Sequence, residues 1–371
     1  MYKRQVLSNN IANTKVLSEL EYGVKQQSIT LEKASNGLLY PSSKSVNVGA
    51  KRDLKVLKKE DTGVSWYAKV PAIVEFDSGK THVVKASASA LLNAIDNAQS
   101  GDVLELAPGQ YDVSKLVEIN KTLTIKAKQS GKSKLTFQRS TLFEIHDGGN
   151  LKLEGLLISG EYAPDAIDNS ILRTQKWGML DNYRFVMTNS KLIALDINHS
   201  FHFFVTGKGA MADEIILTGN SFTNVTGDIL RLNTEIEDLG VYNAEYVTVN
   251  NNTFNDVEGS LIKLYRGGTD ESTFGPHLEV INNTLKNVGF GARNKAQASI
   301  YVHGVQVTNI KENEFVKSAP IVVEHTVGEP KTEISNNTFN ATKTPNVKEL
   351  IVNGPHTAVL KNNNVLNNKA D

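Results

Sequence analysis

Residues 242–277 read YNAEYVTVNNNTFNDVEGSLIKLYRGGTDESTFGPH and join a short strand pattern to a polar cluster. In the first half, apolar and polar residues alternate up to Asn252-Thr253-Phe254, as in a half-buried strand that ends at an asparagine corner. The second half, residues 265–272, contains a tyrosine, an arginine, two glycines and two acidic residues. The first half therefore bears on the fold, and the second half marks a candidate site.

The asparagine corner recurs along the chain after other short alternating strands. Its copies stand at Asn189, Asn220, Asn252, Asn283, Asn313, Asn337 and Asn363. Consecutive copies are 31, 32, 31, 30, 24 and 26 residues apart, a spacing typical of a solenoid coil. The pattern predicts an all-β protein, a single-stranded right-handed parallel β-helix. A β-sandwich with asparagine-rich turns is the alternative, and the regular spacing favours the solenoid.

The region before the first coil predicts a helix and a domain boundary. Residues 87–99 (SASALLNAIDNAQ) place Leu91, Leu92, Ile95 and Ala98 on one apolar stripe. A helix at this position would cover the open end of a solenoid, so we predict an N-terminal capping helix. Residues 1–66 are predicted to be the end of a preceding domain with a linker, and residues 67–371 to be the β-helix domain.

Composition narrows the possible functions. Forty basic residues balance 40 acidic ones, so the overall charge gives no support to nucleic-acid binding. The chain has no cysteine, which excludes disulfides, thiolate metal sites and a cysteine nucleophile. The chain contains no run of about 18 apolar residues, so no membrane span is predicted. The first residues, MYKRQVLSNNIANTKV, lack the apolar region of a signal peptide.

Several segments together resemble one enzyme family. The segments are VYNAEYV, LYRGGTDESTFGPH, ASIYVHGVQVTNI, VEHTVGEPKTEISNNTF and DTGVSWYAK. They resemble the chondroitinase B and alginate lyase group of polysaccharide lyases, family six, and are most similar to the C-terminal β-helix of its two-domain members. The resemblance implies β-elimination on a uronate-containing polysaccharide, alginate or a glycosaminoglycan. It also implies calcium as a cofactor, an N-terminal β-helix domain in the same parent chain, and a secreted or periplasmic parent protein.

The family's catalytic residues carry over only in part. Arg266 follows the corner at Asn252 as the family's catalytic arginine does, so the resemblance makes Arg266 a candidate catalytic residue. The family's lysine is expected near residues 242–246, where Glu245 stands and no lysine is present. The acidic residues that would bind calcium have no clear counterpart, although Glu235, Glu237 and Asp238 lie nearby. The alternative function is therefore a non-catalytic β-helix module that stabilises the catalytic half or binds polysaccharide.

Other polar residues are candidates for substrate binding. They are Tyr242, Glu245, Tyr265, Arg293, Lys295 and His303. Arg266, Arg293 and Lys295 would form a local basic patch for a polyuronate, since guanidinium groups bind carboxylates with two hydrogen bonds. The structural alternative for Arg266 is an ion pair with Glu245, Asp270 or Glu271. Lys263 is predicted to be a solvated surface lysine on the same strand face as Tyr265.

Overall fold

The structure is a computed structural model in which two compact units are distinguished, Met1–Ile73 and Val74–Asp371. It describes residues 27–33, 39–48, 73–87, 89–177, 179–234, 241–268, 275–351 and 356–367. In the first unit, β1 (Gln27–Lys33) pairs antiparallel with β2 (Leu39–Val48), with a register shift after Thr30. The predicted domain boundary after residue 66 lies outside the described residues.

The described part of the second unit is built from three long parallel sheets, which we call A, B and C. Sheet A contains β3 (Thr81–Val84), β4 (Val103–Leu106), β7 (Thr122–Ala127), β10 (Asn150–Glu154), β13 (Tyr183–Thr188), β16 (Ala212–Thr218), β19 (Ala244–Asn250), β22 (His277–Ile281), β25 (Val307–Lys311), β28 (Lys331–Ser335) and β31 (Thr357–Lys361). Sheet B contains β5 (Gly109–Val113), β8 (Ser133–Phe137), β11 (Leu157–Ser159), β14 (Lys191–Ile193), β17 (Ser221–Val225), β20 (Thr253–Val257), β23 (Thr284–Val288), β26 (Glu314–Val316), β29 (Thr338–Asn340) and β32 (Asn364–Leu366). Sheet C contains β6 (Val117–Ile119), β9 (Thr141–Ile145), β12 (Ser170–Thr174), β15 (His202–Val205), β18 (Leu230–Leu232), β21 (Ile262–Tyr265), β24 (Ile300–His303), β27 (Ile321–His325) and β30 (Asn346–Glu349).

From β4 to β30 each coil gives one strand to each sheet, in the order A, B, C, and the next coil pairs with it in parallel, while β3 precedes these coils and β31 and β32 follow them. This arrangement confirms the prediction of an all-β parallel β-helix. Because strand residues alternate between faces, equivalent residues of successive coils stack into rows along the helix axis. One interior row consists of Phe222, Phe254, Leu285, Phe315 and Phe339, all fully buried. These apolar residues come two positions after the asparagine corner and form part of the shared core.

The asparagine corners form a continuous ladder of buried amides between sheets A and B. Asn252 donates from its backbone N–H and its side-chain amide to Asn283 Oδ1, at 2.8 and 3.0 Å. Asn283 repeats both bonds to Asn313 Oδ1, each at 2.9 Å. The residue before each of these corners adopts a left-handed backbone conformation, with φ of 60° at Asn251 and 56° at Asn282. The ladder explains why asparagine recurs, because its short amide both accepts from and donates to neighbouring coils.

The sequence predicts the first corner at Asn189, which is one residue before its actual position. Ser190, not Asn189, takes the ladder position, and its N–H donates to Asn220 Oδ1 at 3.0 Å. Asn189 has the left-handed conformation, with φ of 51°. Asparagine is accommodated at both of these neighbouring positions, so the local sequence did not decide which of the two belongs to the ladder. The last predicted copy is confirmed, since Asn337 N–H donates to Asn363 Oδ1 at 3.0 Å.

The predicted helix is present as α1 (Ala90–Asn97), shorter at both ends than expected. Its apolar stripe buries Leu91 and Ile95, which join the core of the solenoid. The helix lies against β3 and β5 of the first coils. Its role as a cap over the open end stays a prediction.

Asp102 ties together the turns around the first coil and makes the stability of this end depend on pH. Its buried carboxylate accepts backbone N–H bonds from Gln99 at 2.9 Å and Lys80 at 2.8 Å, and lies 2.8 Å from Nε2 of His82. The Gln99 amide bond is the largest cause that lowers the pKa of Asp102, outweighing burial, with Lys80 and His82 adding to it. A lowered pKa in the folded state means that the stabilisation is present at neutral pH and lost as pH falls below about 4.

We therefore expect Asp102→Asn to flatten the acid limb of the stability curve. Denaturant unfolding of wild type and variant at neutral pH and at about pH 3 measures this effect. The variant should lose stability at neutral pH and differ less from wild type at acid pH. An equal difference at both pH values would contradict the prediction.

Candidate functional site

An open groove of about 940 Å³ lies along the outer face of sheet C. Its floor includes outward-facing residues of successive strands, and residues 291–296 of the turn between β23 and β24 form part of its wall. Strand register places Arg231, Lys263 and Tyr301 in one row on β18, β21 and β24. The charged lining residues are Arg231, Lys263, Arg293, Lys295, Lys348, Asp168, Asp228 and Glu324. Cations thus outnumber acids in the groove, although the whole chain is electrically balanced.

Lys263 forms an ion pair within the groove. Its ammonium lies 2.8 Å from Oδ1 of Asp228, and only 14% of the lysine side chain and 4% of the aspartate side chain are exposed. Asp228 also accepts the backbone N–H of Ser260 at 2.9 Å. The predicted solvated Lys263 is therefore wrong, although the predicted face is right, because Leu264 and Arg266 are buried on the other side. Alternation identifies the face of a strand residue but not what covers that face.

His202 lies on the neighbouring part of the groove floor. Its Nδ1 accepts the backbone N–H of Asp228 at 2.8 Å, so in the neutral ring the proton is on Nε2. Nε2 lies 3.6 Å from Oδ1 of Asp168, which is also 3.3 Å from Nη1 of Arg231. The nearby His202 imidazole is the largest cause that lowers the pKa of Asp168, while burial opposes it and Arg231 adds to it. Asp168 is therefore ionised at neutral pH.

The loop bearing Arg293 and Lys295 is held over the groove by a buried amide. Asn294 donates to the carbonyls of Gly289 at 2.8 Å and Ala298 at 3.0 Å, and is itself only 3% exposed. Arg293 and Lys295 are exposed and line the groove. The sequence predicts that Arg293 and Lys295 form a basic patch with Arg266. In the structure these two residues share a groove with Arg231 and Lys263 instead, and Arg266 is not among the residues that line it.

A carboxylate with three neighbours lies where β24, β27 and β30 border the groove. Tyr301 donates its hydroxyl to Oε2 of Glu324 at 2.7 Å, and Nδ1 of His303 lies 3.0 Å from the same oxygen. Lys348 Nζ lies 3.4 Å from Oε1. The Tyr265 ring stacks on His303 with centroids 4.2 Å apart. The predicted residues Tyr265 and His303 therefore meet in one cluster beside the groove.

This cluster sets the protonation of its members. Burial and the Glu324 carboxylate raise the pKa of Tyr301, so its hydroxyl stays protonated. Burial opposes ionisation of Glu324, but hydrogen bonds from His303, Tyr301 and Lys348 lower its pKa overall. Glu324 is consequently a carboxylate at neutral pH, flanked by a neutral phenol and an imidazole.

The remaining predicted residues lie elsewhere. Tyr242 donates its hydroxyl to Oε2 of Glu245 at 2.6 Å, and Glu245 Oε1 lies 3.4 Å from Nδ1 of His277. Arg266 is 3% exposed, forms an antiparallel bridge with Tyr242, and donates its backbone N–H to the carbonyl of His303 at 2.9 Å. The catalytic role of Arg266 and the substrate-binding roles of Tyr242 and Glu245 stay predictions.

The described residues bring together no group of three histidine, aspartate or glutamate side chains that would suit a metal ion. The acidic run Glu235, Glu237 and Asp238 lies outside the described residues. In the groove, the acidic side chains of Asp168 and Asp228 are already paired with cations. In the part of the chain that the structure describes, no helix is long and apolar enough to cross a membrane.

Sequence reasoning missed Arg231, His202 and Asp228. The available signal for Arg231 was its place in the repeat, because it takes the strand position that Lys263 takes one coil later. Aligning the coils on the asparagine corners, and not only counting their spacing, would have placed Arg231 beside Lys263, since Arg231 follows Asn220 by 11 residues and Lys263 follows Asn252 by 11.

Comparison with solved structures gives a close match along most of the chain. The PL6 family alginate lyase AlyGC is 46% identical, with a TM-score of 0.80, over 91% of this chain and 47% of that chain. The chain is a relative of the PL6 family lyases. An arginine-to-alanine mutant of AlyGC matches equally well, at 45% identity and a TM-score of 0.80. No protein-family model and no curated protein matches the chain.

The match confirms the family resemblance that the sequence predicts. It also confirms the parallel β-helix, since the overlap at a TM-score of 0.80 includes nearly the whole chain. The chain spans about half the length of AlyGC, with 47% of that lyase covered.

Proposed function

We propose that this chain is part of a polysaccharide lyase that cleaves uronate-containing polysaccharide, alginate above all, by β-elimination. The observation that carries the proposal is the 46% identity with alginate lyase AlyGC over 91% of the chain. We propose further that the groove on sheet C binds the polymer. A polyuronate presents one carboxylate per sugar, and a groove with an excess of cations is complementary to it.

The exposed cations at the groove wall are suited to hold carboxylates. Arg293 offers a planar guanidinium that bonds a carboxylate with two parallel hydrogen bonds, and Lys295 adds a mobile charge. Arg231 and Lys263 lie on the strands of the groove floor, each beside an acidic partner. Adjacent strands are about 4.8 Å apart, so cations on successive coils can meet successive sugars of a chain that runs along the solenoid axis.

The reaction removes the C5 proton beside the uronate carboxylate and expels the oxygen on C4. Proton removal leaves an enolate with two negative charges, which cationic groups stabilise. Calcium is proposed on the family resemblance alone, and it would supply charge neutralisation of this kind. Activity with added calcium and with a chelator tests that part of the proposal.

The parent protein is proposed to contain a further β-helix domain N-terminal to this one. The 47% coverage of AlyGC supports this proposal, since half of that lyase has no counterpart in the present chain. We also propose that the parent is secreted or periplasmic, because a long polysaccharide is met outside the cytoplasm.

The groove assignment predicts that Arg293→Gln with Lys295→Gln weakens binding of alginate oligosaccharides at least about tenfold, roughly 1.4 kcal/mol. Both side chains are exposed, so the fold should be unchanged. Calorimetry at low and moderate salt measures the loss, which should be larger at low salt.

A matched control removes the same charge from sheet B. Lys191→Gln with Lys286→Gln changes two exposed lysines away from the groove and should leave binding within about twofold. Equal weakening in both double variants would contradict the groove assignment. Incubation with alginate and with dermatan sulfate, followed by the ultraviolet absorbance of unsaturated product, tests the lyase reaction. If the chain neither binds these polymers nor yields product, the proposed function is wrong.

A further inference from the structure

We propose that Glu324 is a specificity-determining residue of the groove, which selects uronate polymers with free hydroxyl groups and rejects sulfated ones. The inference deepens the proposed function and rests on it, because it takes a uronate polysaccharide as the ligand of the groove. Alginate and the sulfated glycosaminoglycans both carry uronate carboxylates, but the glycosaminoglycans also carry sulfate esters. A groove that distinguishes the two polymers must therefore respond to a hydroxyl and to a sulfate in opposite ways.

The cations of the groove do not make this distinction. Guanidinium and ammonium groups attract carboxylates and sulfates alike, since both are anions that only accept hydrogen bonds. Arg293 and Lys295 on the wall, and Arg231 and Lys263 on the floor, would therefore bind either polymer. A negatively charged acceptor treats the two differently, because a hydroxyl donates to it and a sulfate is repelled by it.

Glu324 differs from the other acidic residues among the described lining of the groove. Asp228 has a side chain that is 4% exposed and paired with Lys263, so it is out of reach of a ligand. Asp168 has a side chain that is 61% exposed, and water screens its charge. The Glu324 side chain lines the groove and is 15% exposed, so its charge is screened less.

The neighbours of Glu324 fix one of its oxygens and leave the other for a ligand. Tyr301 donates its hydroxyl to Oε2 at 2.7 Å, and Nδ1 of His303 lies 3.0 Å from the same atom. The Tyr265 ring stacks on His303 and holds the imidazole in place. Among the described residues, Oε1 is bonded only to the ammonium of Lys348, at 3.4 Å, and a carboxylate oxygen accepts two hydrogen bonds. An oriented carboxylate with room for one more donor thus faces the groove.

The strand register places Glu324 across the groove floor from the cationic wall. Val322 lies in the row of Tyr301, and Glu324 follows two residues later on β27. Glu324 is therefore about 7 Å farther than that row from the turn that carries Arg293 and Lys295. In a uronate ring, the carboxylate on C5 and the hydroxyls on C2 and C3 lie on opposite sides. A ring bound with its carboxylate at the wall turns its hydroxyls toward Glu324, and a sulfate ester on such a hydroxyl would meet the carboxylate.

Calorimetry of the full chain with three probes tests the inference. The probes are an alginate oligosaccharide, a dermatan sulfate oligosaccharide, and the same dermatan sulfate oligosaccharide after chemical desulfation. Wild type should bind alginate and the desulfated probe at least about tenfold more tightly than the sulfated probe, because like charges that face each other weaken the wrong complex. Comparison of the desulfated and sulfated probes isolates the effect of the sulfate group.

Two substitutions should change this preference in opposite directions. Glu324→Gln should reduce the preference at least about fivefold, because an amide donor at the position of Oε1 bonds a sulfate that the carboxylate repels. The amide oxygen still accepts from Tyr301, so the fold should be retained. Lys348→Gln should increase the preference about two- to threefold, because it removes the cation that partly neutralises Glu324. Damage to the fold would not produce opposite changes, and thermal unfolding checks each variant.

Glu349→Gln is the matched control. Glu349 follows Lys348 on β30, is exposed, and is not among the residues that line the groove. The substitution removes the same charge close to the groove and should leave the preference within about twofold of wild type. An effect equal to that of Glu324→Gln would mean that the charge of the whole region, and not Glu324, sets the preference.

The outcomes separate this inference from the proposed function. Wild type that binds alginate but does not discriminate between the sulfated and desulfated probes overturns the role of Glu324 and leaves polymer binding intact. Full preference retained in Glu324→Gln does the same. Absence of binding to all three probes overturns the proposed function itself. A preference that falls in Glu324→Gln, rises in Lys348→Gln and is unchanged in Glu349→Gln supports the selection of unsulfated polymer by Glu324.

Discussion

Asn283→Ala is expected to lower the free energy of unfolding by about 3–5 kcal/mol, because the substitution leaves several buried polar groups without partners. Oδ1 of Asn283 accepts two bonds from Asn252, and its amide donates to the carbonyl of Val249 at 2.7 Å and to Asn313 Oδ1 at 2.9 Å. No water reaches these groups easily, since Asn283 is 2% exposed. Each unpaired buried donor or acceptor costs about 1–3 kcal/mol.

Chemical denaturation followed by circular dichroism measures the effect, with Asn282→Gly as the matched control. Asn282 is the exposed neighbour in the left-handed conformation that glycine adopts without strain. The control should change stability by less than about 1 kcal/mol. Similar losses in the two variants would show that the corner's backbone, and not the amide ladder, holds the coils together.

Lys263→Met is expected to cost about 3–5 kcal/mol, because it leaves the buried Asp228 carboxylate without its cation. The pair is 2.8 Å apart and both side chains are largely covered. The double variant Lys263→Met with Asp228→Asn should recover most of this stability, since the amide oxygen still accepts the N–H of Ser260 and no charge remains buried.

A double-mutant cycle from denaturant unfolding of the four proteins measures the coupling between Lys263 and Asp228. A double variant that is no more stable than Lys263→Met alone would contradict the account, because it would mean that lost packing of the lysine chain dominates. Asp228→Asn alone should be destabilised as well, since the ammonium of Lys263 is then the uncompensated charge.

The amide ladder was predictable because its cause is local and repeated. Each coil needs a residue that tolerates the corner and bonds to both neighbours, and asparagine recurs for that reason at Asn252, Asn283 and Asn313. The error at Asn189 shows the limit of this signal. Two adjacent corner positions accept asparagine, and only the pairing of strands distinguishes them.

Only single residues of the groove were predictable from the sequence. Arg293 and Lys295 stood out as charges in a loop, but nothing in that loop indicates that Asn294 anchors it over sheet C. Lys263 and Asp228 are 35 residues apart, so their ion pair depends on the length of a coil. The local alternation of the sequence therefore assigned Lys263 to the correct strand face. It did not show that Lys263 is largely covered and paired with Asp228.

The sequence by itself determined the solenoid, its family and the positions of its predicted corners except the first, because these depend on short patterns that repeat once per coil. Only the tertiary structure decided which side chains share a site. In a parallel β-helix, neighbours in space come from successive coils about 30 residues apart. The register between coils thus brought Arg231, Lys263 and Tyr301 into one row, and left Arg266 buried outside the groove.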